Sequence, residues 1–387
     1  MRIAYVCADP GVSVFGCKGC SIHVQEMLRA MIAQQIEVDL FATRIDGPCP
    51  AGLESVRVHH MPRIRSNPET ITSEQIEQEN QARRRIIESC QPFDIVYERY
   101  SLWNFSGMES ATDSGVPGIL EVNAPLIEEQ ETYRGLSNRE LAGAVLRRAF
   151  QAASVLIAVS PEVAGYVSQW TEAANRVHVV ANGVNVDRFR PVAEKIPARS
   201  GRLTIGFVGT LKPWHGVHDL LDAFDQLLPR YPQLRLLIVG DGPERKRLEE
   251  QARLISPQAI SFAGAVQPAE VPETLCGMDI AVAPYPQMDQ CYFSPLKVYE
   301  YAAAGLAIVT SRIGEPGRVI DHEIHGLLSN PGDASDLATK IERLICHPEE
   351  RFRFGRNARE HVCRHHTWSH VLQRILNVAG KLTPVPF

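Results

Sequence analysis

Residues 294–305 read Ser-Pro-Leu-Lys-Val-Tyr-Glu-Tyr-Ala-Ala-Ala-Gly and predict a short, sharply bounded helix. Serine is a preferred N-cap and proline a preferred first helical residue, so the helix should open at Pro295 with Ser294 as its cap. Gly305 supplies the left-handed residue at which helices commonly stop. The stretch therefore predicts one helix of about two turns.

The first turn of this helix holds no Asp or Glu and instead carries Lys297. The positive end of a helix dipole disfavours a lysine, and a bound anion would relieve that repulsion. Exposed amides at the helix start, Lys297 beside them and Glu300 one turn further on predict a site for a phosphate that bears a hydroxylated group. For an isolated motif, a surface lysine and an ordinary helix glutamate are the simpler interpretation, so the surrounding sequence decides.

Strands and helices alternate on both sides of this helix, a pattern typical of parallel sheets covered on both faces. In the first half of the chain, strands are predicted at residues 2–8, 37–42, 56–61, 94–99, 118–123, 155–160 and 177–181. In the second half, they are predicted at residues 203–208, 234–239, 259–262, 279–283 and 306–310.

Residues 189–201 interrupt this alternation with two prolines and no periodicity, which predicts a linker between domains. We therefore predict an α/β fold of two tandem Rossmann-like, doubly wound domains, at residues 1–190 and 200–366. Ligands bind beyond the carboxyl ends of the strands in such sheets, so two facing sheets should place their ligand edges on a shared cleft.

Composition fits a globular protein of two domains, since the chain has 387 residues, of which 44% are hydrophobic and 22% charged. No apolar run approaches the ~18 residues of a membrane helix, and residues 1–6 open directly as a strand, so we expect a cytoplasmic protein. The net charge of −5 gives no reason to expect nucleic-acid binding. Arg83–Arg85 and Arg147–Arg148 could touch an anionic surface, although solvated helix faces explain them more simply.

Nine cysteines in mostly apolar contexts suit a reducing compartment. Cys17 and Cys20 have the spacing of a redox pair, but they lie in a predicted loop and no second pair completes a zinc site. The pairs His59-His60 and His365-His366 are interpreted as surface residues. The sequence thus predicts no metal site and no cofactor.

A glycine-rich loop, residues 9–20, lies between the first predicted strand and its helix and contains Gly11, Gly16 and Gly19. Such loops allow backbone amides to approach a phosphate closely. The spacing is not Gly-x-Gly-x-x-Gly, and no acidic residue follows where a dinucleotide ribose would need one. The loop therefore indicates phosphate binding and only weakly an NAD site.

Six segments, taken together, carry a family resemblance. They are Val180-Ala-Asn-Gly-Val-Asn-Val-Asp-Arg-Phe-Arg-Pro191, Phe207-Val-Gly-Thr-Leu-Lys-Pro-Trp-His-Gly216, Leu237-Ile-Val-Gly-Asp-Gly-Pro243, Phe262-Ala-Gly264, Asp279-Ile-Ala-Val-Ala-Pro284 and residues 294–305. In these segments the chain resembles the retaining nucleotide-sugar glycosyltransferases of GT-B fold, specifically glycosyltransferase family 4. The glycine-rich loop and Glu121-Val-Asn-Ala-Pro125 add weaker matches.

The resemblance implies a donor site in the second domain. Glu300 matches the second glutamate of the family's Glu-x7-Glu motif and would hold the ribose hydroxyls. The helix start at Ser294, Pro295 and Leu296 would bind the diphosphate with its amides, together with the loop that opens at Gly209. Backbone groups at Val266 would contact the base.

The resemblance also implies that the first domain closes on the sugar. Gly16 and Gly19 would contact the sugar phosphate, and Asn123 would hydrogen-bond a sugar hydroxyl. The C-terminal segment 367–387 should pack back onto the first domain.

The sequence departs from the family pattern at two places. Tyr292 stands eight residues before Glu300, where the first glutamate of the motif belongs. Thr210 and His215 stand where the family has its diphosphate-binding Arg and Lys, so Lys212 and Lys297 are the available replacements. The candidate catalytic residues are therefore Lys212, Lys297 and Asn123.

The predicted function is a metal-independent, retaining glycosyltransferase of the hexosyltransferase type. It would move a sugar from a nucleoside-diphosphate sugar to a hydroxyl acceptor, in glycan, exopolysaccharide or glycolipid synthesis, with peripheral contact to the inner face of the membrane as an open option. Two alternatives remain. One is a nucleotide-sugar epimerase or phosphorylase on the same fold, and the other is a non-catalytic nucleotide-sugar binder, which the missing cations and Tyr292 favour.

Overall fold

The computed structural model describes residues 1–63, 71–133, 135–136, 138–191, 203–289 and 291–380. Most of the predicted linker, at residues 192–202, and the end of the predicted C-terminal segment, at residues 381–387, lie outside the described residues. The chain divides into two compact units. Unit 1 comprises Met1–Asn182, Tyr292–Ser294 and the final helix from Trp368, and unit 2 comprises Gly183–Cys291 and Pro295–Thr367.

Unit 1 is built on a parallel sheet of seven strands in the order β3-β2-β1-β4-β5-β6-β7. The strands are β1 (Arg2–Cys7), β2 (Glu37–Ala42), β3 (Arg57–His60), β4 (Ile95–Arg99), β5 (Gly118–Val122), β6 (Val155–Ala158) and β7 (Val177–Val179). The helices are α1 (Gly19–Ala33), α2 (Ser73–Glu88), α3 (Ser106–Ser114), α4 (Leu126–Tyr133), α5 (Arg139–Ala152), α6 (Pro161–Val167) and, at the end of the chain, α14 (Trp368–Gly380).

Unit 2 repeats the design with six parallel strands in the order β10-β9-β8-β11-β12-β13. The strands are β8 (Thr204–Val208), β9 (Arg235–Val239), β10 (Ile260–Gly264), β11 (Ile280–Ala283), β12 (Ala307–Ser311) and β13 (Leu327–Ser329). The helices are α7 (Val217–Leu227), α8 (Arg245–Ile255), α9 (Val271–Cys276), α10 (Leu296–Ala303), α11 (Gly314–Val319), α12 (Ala334–Cys346) and α13 (Pro348–His365).

Both sheets are doubly wound, because the strand order reverses once in each, between β1 and β4 in unit 1 and between β8 and β11 in unit 2. In open α/β sheets, ligands bind at such switch points, beyond the carboxyl ends of the strands. The predicted fold class is therefore confirmed. All twelve predicted strands are present to within a few residues, and β13 is the strand that the sequence analysis missed.

Helix α7 shows how the local pattern builds the core of unit 2. Leu220, Leu221, Phe224 and Leu227 recur at helical spacing and are all fully buried. In unit 1, helix α14 packs on α1, with the ring of Trp368 edge-on to His23 at 5.0 Å between centroids.

One arginine interpreted as a surface residue is buried, and two of the four histidines so interpreted are partly buried, while His60 and His365 are exposed as predicted. Arg83 is the buried arginine and donates to Asn104 Oδ1 at 3.0 Å. His59 Nε2 hydrogen-bonds the buried carboxylate of Asp39 at 2.8 Å. His366 lies with its ring 5.2 Å from Tyr299.

No helix in the part of the chain that the structure describes is both long and apolar enough to cross a membrane.

Candidate functional site

The loop between β8 and α7, residues 209–216, lies at the switch point of the unit 2 sheet. Its backbone is pinned to the loop after β9, since Leu211 N–H donates to Asp241 O at 2.9 Å and Glu244 N–H donates to Leu211 O at 3.1 Å. At the end of the loop Gly216 has φ +63°, and a Cβ there would collide with Pro284 O. The loop after β8 thus packs directly against the chain that leaves β11, and its shape is fixed.

Lys297, in the first turn of α10, reaches the start of this loop. A Cβ added to Gly209 would lie 2.7 Å from Lys297 Nζ, so glycine leaves the space that the ammonium occupies. The Nζ atom lies 4.2 Å from the ring centre of Phe207 and 5.6 Å from that of Tyr285. Nζ is shielded from solvent and has no hydrogen-bond partner among the described residues.

The surroundings of Lys297 change its protonation. Burial lowers the pKa of Lys297 to about 7, and the nearby carboxylate of Glu300 opposes that shift only in part. Two aromatic faces attract a cation but do not replace the hydrogen bonds that a buried ammonium needs. The charged form of Lys297 therefore receives too little electrostatic and hydrogen-bond stabilisation from the described residues to keep its ordinary pKa.

His215 completes the wall around this lysine. Its ring lies 6.1 Å from those of both Phe207 and Tyr285, and its Nδ1 hydrogen-bonds the carbonyl of Thr210. Because a carbonyl only accepts, Nδ1 carries the proton. Burial, with Lys297 nearby, lowers the pKa of His215 to about 3, so the imidazole is neutral at physiological pH and adds no positive charge.

Lys212 lies on the same loop and stacks over Trp214, with Nζ 5.4 Å from the ring centre. It is half-buried, and its charge acts on His215 as that of Lys297 does. The structure thus brings Lys212, Lys297 and Gly209 together around His215.

Helix α10 begins one residue later than predicted, at Leu296. The N-cap is Pro295, with an extended backbone and no side-chain cap, so Ser294 as the cap was wrong. The Ser294 hydroxyl instead accepts from Asn182 N–H at 3.3 Å, and the Ser294 carbonyl accepts from Asn182 Nδ2 at 2.8 Å. Gly305, with φ +69°, ends the helix as predicted.

The uncapped start of α10 leaves backbone donors available. The first amides of a helix have no partner within it, and Pro295 contributes no N–H, so the amides of Leu296, Lys297 and Val298 are the ones without a partner in the helix. Tyr301, one turn after Lys297, fixes the helix to β8, since its hydroxyl accepts from Val208 N–H at 2.8 Å. The first amides of α10 and the Lys297 ammonium therefore lie at one helix end that is tied to β8.

The remaining candidates of unit 2 are Glu300 and Val266. Glu300 lies on α10 one turn after Lys297 and is partly exposed. Val266 lies in the loop after β10 and is also partly exposed. No contact of Val266 with Lys212 or Lys297 is observed among the described residues, and its assignment stays a prediction.

Unit 1 holds the other candidates, namely Gly16, Gly19, Asn123 and Ser294. Gly16 lies in the loop after β1, Gly19 is the first residue of α1, and Asn123 directly follows β5 with its Oδ1 buried and without a partner among the described residues. Tyr292 also belongs to unit 1, where its hydroxyl donates to Glu129 and its carbonyl accepts from Ser160 Oγ at 2.7 Å.

The residues that sequence reasoning missed are the buried aromatic groups. Phe207, Tyr285 and Tyr301 shape the lysine site, but strand ends and helix interiors are commonly aromatic, so the sequence alone gives no signal that they meet. The described residues contain no group of three or more His, Cys, Asp or Glu side chains arranged to hold a metal ion.

Comparisons with known proteins match both units. Residues 18–188 match "Glycosyltransferase Family 4" and residues 202–347 match "Glycosyl transferases group 1". A glycogen synthase from Mycobacterium tuberculosis is 31% identical over 198 residues, which is 50% of this chain and 46% of that protein. The chain thus spans about half the length of that curated relative.

Two solved structures are similar over nearly the whole chain. Sucrose-phosphate synthase from Thermosynechococcus elongatus has a TM-score of 0.75 at 19% identity, covering 99% of each chain. Anabaena HepE in complex with UDP-glucose has a TM-score of 0.70 at 16% identity, covering 99% of this chain and 100% of that one. At these identities the likeness shows the fold. With glycosyltransferase domains matched in both units, the chain is a family 4-like glycosyltransferase of GT-B fold.

Proposed function

We propose that the protein transfers a sugar from a nucleoside-diphosphate sugar to a hydroxyl acceptor with retention of anomeric configuration. The observation that carries the proposal is Lys297, a buried ammonium without a protein partner beside the uncapped start of α10 and the loop at Gly209. A diphosphate is the ligand that this set of donors fits, because it is anionic and accepts several hydrogen bonds at once. The HepE structures with UDP and UDP-glucose support a uridine nucleotide as the first to test.

Catalysis in this proposal comes from charge stabilisation. As the bond from sugar to phosphate breaks, negative charge grows on the diphosphate, and donors already directed at it stabilise the transition state more than the ground state. Lys297 and the first amides of α10 would act on one side, with Lys212 from the loop. The leaving phosphate itself would accept the proton of the acceptor hydroxyl on the same face of the sugar, so no protein nucleophile is required.

Glu300 would orient the nucleotide. A carboxylate accepts hydrogen bonds from both hydroxyls of a ribose, and Glu300 lies one turn from Lys297, on the helix that carries the diphosphate donors. Within unit 1, we propose Gly16 and Gly19 as contacts of a sugar phosphate and Asn123 as the acceptor of a hydrogen bond from a hydroxyl group. We also propose a cytoplasmic location, with any membrane contact being peripheral.

A non-catalytic nucleotide-sugar binder is the second candidate, and a specific observation favours it. His215, where the resemblance places a lysine, is neutral because its pKa is about 3, and Thr210 is uncharged. The site therefore has fewer fixed positive charges than the family pattern implies.

Slow hydrolysis of the donor separates the two candidates. UDP-glucose and related donors are incubated without acceptor, and release of the nucleoside diphosphate is followed. A transferase releases it slowly, and Lys297→Met should reduce the rate by roughly 10² to 10³-fold. Lys246→Met removes an exposed lysine of α8 and is the matched control, which should keep the wild-type rate. A donor that binds with no release from the wild type would favour the binder.

A further inference from the structure

Unit 1 contains a second buried cation, Arg99, with a donor atom that lacks a hydrogen-bond partner among the described residues. Arg99 is the last residue of β4, and its Nη1 is shielded from solvent without a hydrogen-bond partner among the described residues. Buried polar groups in folded proteins are nearly always hydrogen-bonded, and an unpaired one costs about 1 to 3 kcal/mol, more for a charge. Arg99 therefore needs an explanation beyond packing.

The obvious counter-ion of Arg99 is engaged elsewhere. Glu121 is its register partner on β5 and is buried, but its carboxylate contacts His23 Nε2 at 2.9 Å. Burial works against the charge of Arg99, yet Glu121, with Tyr5 and Cys7, holds the pKa of Arg99 above its ordinary value. The guanidinium thus stays charged, and it gains long-range attraction without a hydrogen bond from Glu121.

Arg99 lies at the part of the sheet where ligand-binding residues are found in this fold class. Its register partner on the other side is Cys7, the last residue of β1, so Arg99 stands at the carboxyl edge where the strand order reverses. Ligands of doubly wound sheets bind at this point. Nothing in the proposed donor chemistry of unit 2 uses it.

Asn123 adds a second unpaired group at the same edge. It directly follows β5, the strand next to β4, and its buried Oδ1 has no partner in the described ranges. An amide oxygen accepts a hydrogen bond, whereas a guanidinium only donates and matches the two oxygens of a phosphate, carboxylate or sulfonate. A ligand that satisfies both groups would therefore carry a hydrogen-bond donor for Asn123 and an oxyanion for Arg99.

We propose that the carboxyl edge of the unit 1 sheet binds an acceptor that carries an oxyanion as well as hydroxyl groups, with Arg99 holding the oxyanion and Asn123 Oδ1 accepting from a hydroxyl. This inference rests on the proposed function, since it names the chemical class of the acceptor. It predicts that phosphorylated or otherwise acidic polyols are used and that their neutral counterparts are poor substrates.

Glycerol 3-phosphate and glycerol are a matched pair of probes. Binding is measured by calorimetry on the full chain carrying Lys297→Met, so that the donor-site cation does not bind the phosphate. Glycerol 3-phosphate should bind at least tenfold more tightly than glycerol. Arg99→Gln should remove that preference, while Arg85→Gln, which removes an exposed arginine of α2, should leave it unchanged.

Asn123→Asp guards against a simple folding defect, because it replaces one side-chain nitrogen with oxygen and adds a negative charge at the edge that would bind the oxyanion. It should weaken binding of glycerol 3-phosphate by at least tenfold with the melting temperature maintained. Equal binding of both probes, or an unchanged preference in Arg99→Gln, would overturn the inference.

UDP binding separates this inference from the proposed function. It is measured on variants at position 99 that keep the wild-type Lys297. Arg99→Gln should leave the affinity for UDP unchanged. If it weakens UDP and glycerol 3-phosphate by the same factor, Arg99 belongs to the donor site and the acceptor assignment is wrong. If UDP fails to bind even the wild type, the proposed donor chemistry fails, while a phosphate preference that depends on Arg99 would still support the oxyanion site.

Discussion

Replacing Lys297 with methionine tests whether the site is built for an anion rather than for stability. The substitution keeps most of the buried stem and removes the ammonium. Burial lowers the pKa of Lys297 from 10.5 to about 7 in the folded protein, whereas an unfolded lysine titrates at about 10.4. At about 1.4 kcal/mol for each pKa unit, protonated Lys297 lowers the folding stability by an amount on the order of 5 kcal/mol.

The sign of this effect depends on pH. Below about pH 7 both the folded and the unfolded states carry the proton, so the full destabilisation is present. Between pH 7 and about 10.5 only the unfolded state carries it, and the free energy of unfolding rises with pH by up to about 1.4 kcal/mol per unit. The methionine variant has no such slope.

The attraction between the ammonium and two aromatic rings offsets part of the expected gain. The cation lies over Phe207 and Tyr285, and each such interaction is worth about 0.5 to 2 kcal/mol. We therefore expect Lys297→Met to be more stable than the wild type at pH 6 by roughly 2 to 4 kcal/mol. The difference should shrink as the pH rises and should be gone by about pH 9 to 10.

Urea denaturation of the unliganded proteins at pH 6, 7.5 and 9 measures this difference directly. Lys246→Met serves as the control and should follow the wild type at each pH. The argument would be refuted by a Lys297→Met variant that is less stable than the wild type at pH 6. It would also be refuted if the two free energies of unfolding differed by the same amount at all three pH values. Either result would make Lys297 a structural residue.

The same pKa predicts proton uptake when a nucleotide binds. A diphosphate beside Lys297 favours its charged form, so the wild type should take up a fraction of a proton near pH 7 and close to one proton at pH 8. Affinity for UDP should then fall by up to tenfold per pH unit above pH 7. Calorimetry in buffers of different ionisation enthalpy counts the proton. Lys297→Met should abolish the proton uptake. Lys212→Met should weaken UDP binding but retain the proton uptake.

Three further outcomes are expected. Glu300→Gln should weaken UDP binding by roughly ten- to a hundredfold, since a charge-assisted bond to the ribose is worth about 1.5 to 3 kcal/mol. The affinity for pyrophosphate, which has no ribose, should stay unchanged when both ligands are titrated. Donor turnover should persist in EDTA, and a strict requirement for added manganese or magnesium would show that the cations are assigned wrongly. Gly216→Ala should lower the melting temperature by several degrees because its Cβ meets Pro284 O, whereas Gly19→Ala, whose Cβ meets nothing, should melt normally and show any effect in turnover.

The fold could be predicted because its signals are local. Most predicted strands are short apolar runs, and helices such as α7 show apolar residues at helical spacing, here Leu220 and Phe224. Strand β13 has only three residues, Leu327–Ser329, and such a short run gives little pattern to detect.

The site could be predicted only in part, because its decisive features are contacts between distant segments. The helix at residues 296–303 was located to within a residue, but Ser294 fails as the N-cap because Asn182, 112 residues away in the chain, engages its hydroxyl. The burial of Lys297 depends on Phe207 and Tyr285, which come from two other segments of unit 2. Sequence patterns identify a lysine at a helix start, but they do not show that it lacks solvent and partners.

Lys297 and Arg99 therefore call for the same physical reasoning. Arginines with a structural role in this protein have partners, as Arg148 does with Glu77 and Glu109. Lys297 and Arg99 instead bury donor atoms without a hydrogen bond in the described chain, each at the switch point of its own sheet. An uncompensated buried charge lowers folding stability, and a ligand that neutralises it recovers that free energy as affinity. For Lys297, whose pKa burial lowers to about 7, the stability lost in the free protein is therefore part of the binding energy that a ligand can recover. For Arg99, whose pKa Glu121 helps to hold above its ordinary value, only the missing hydrogen bond of Nη1 is left for a ligand to supply.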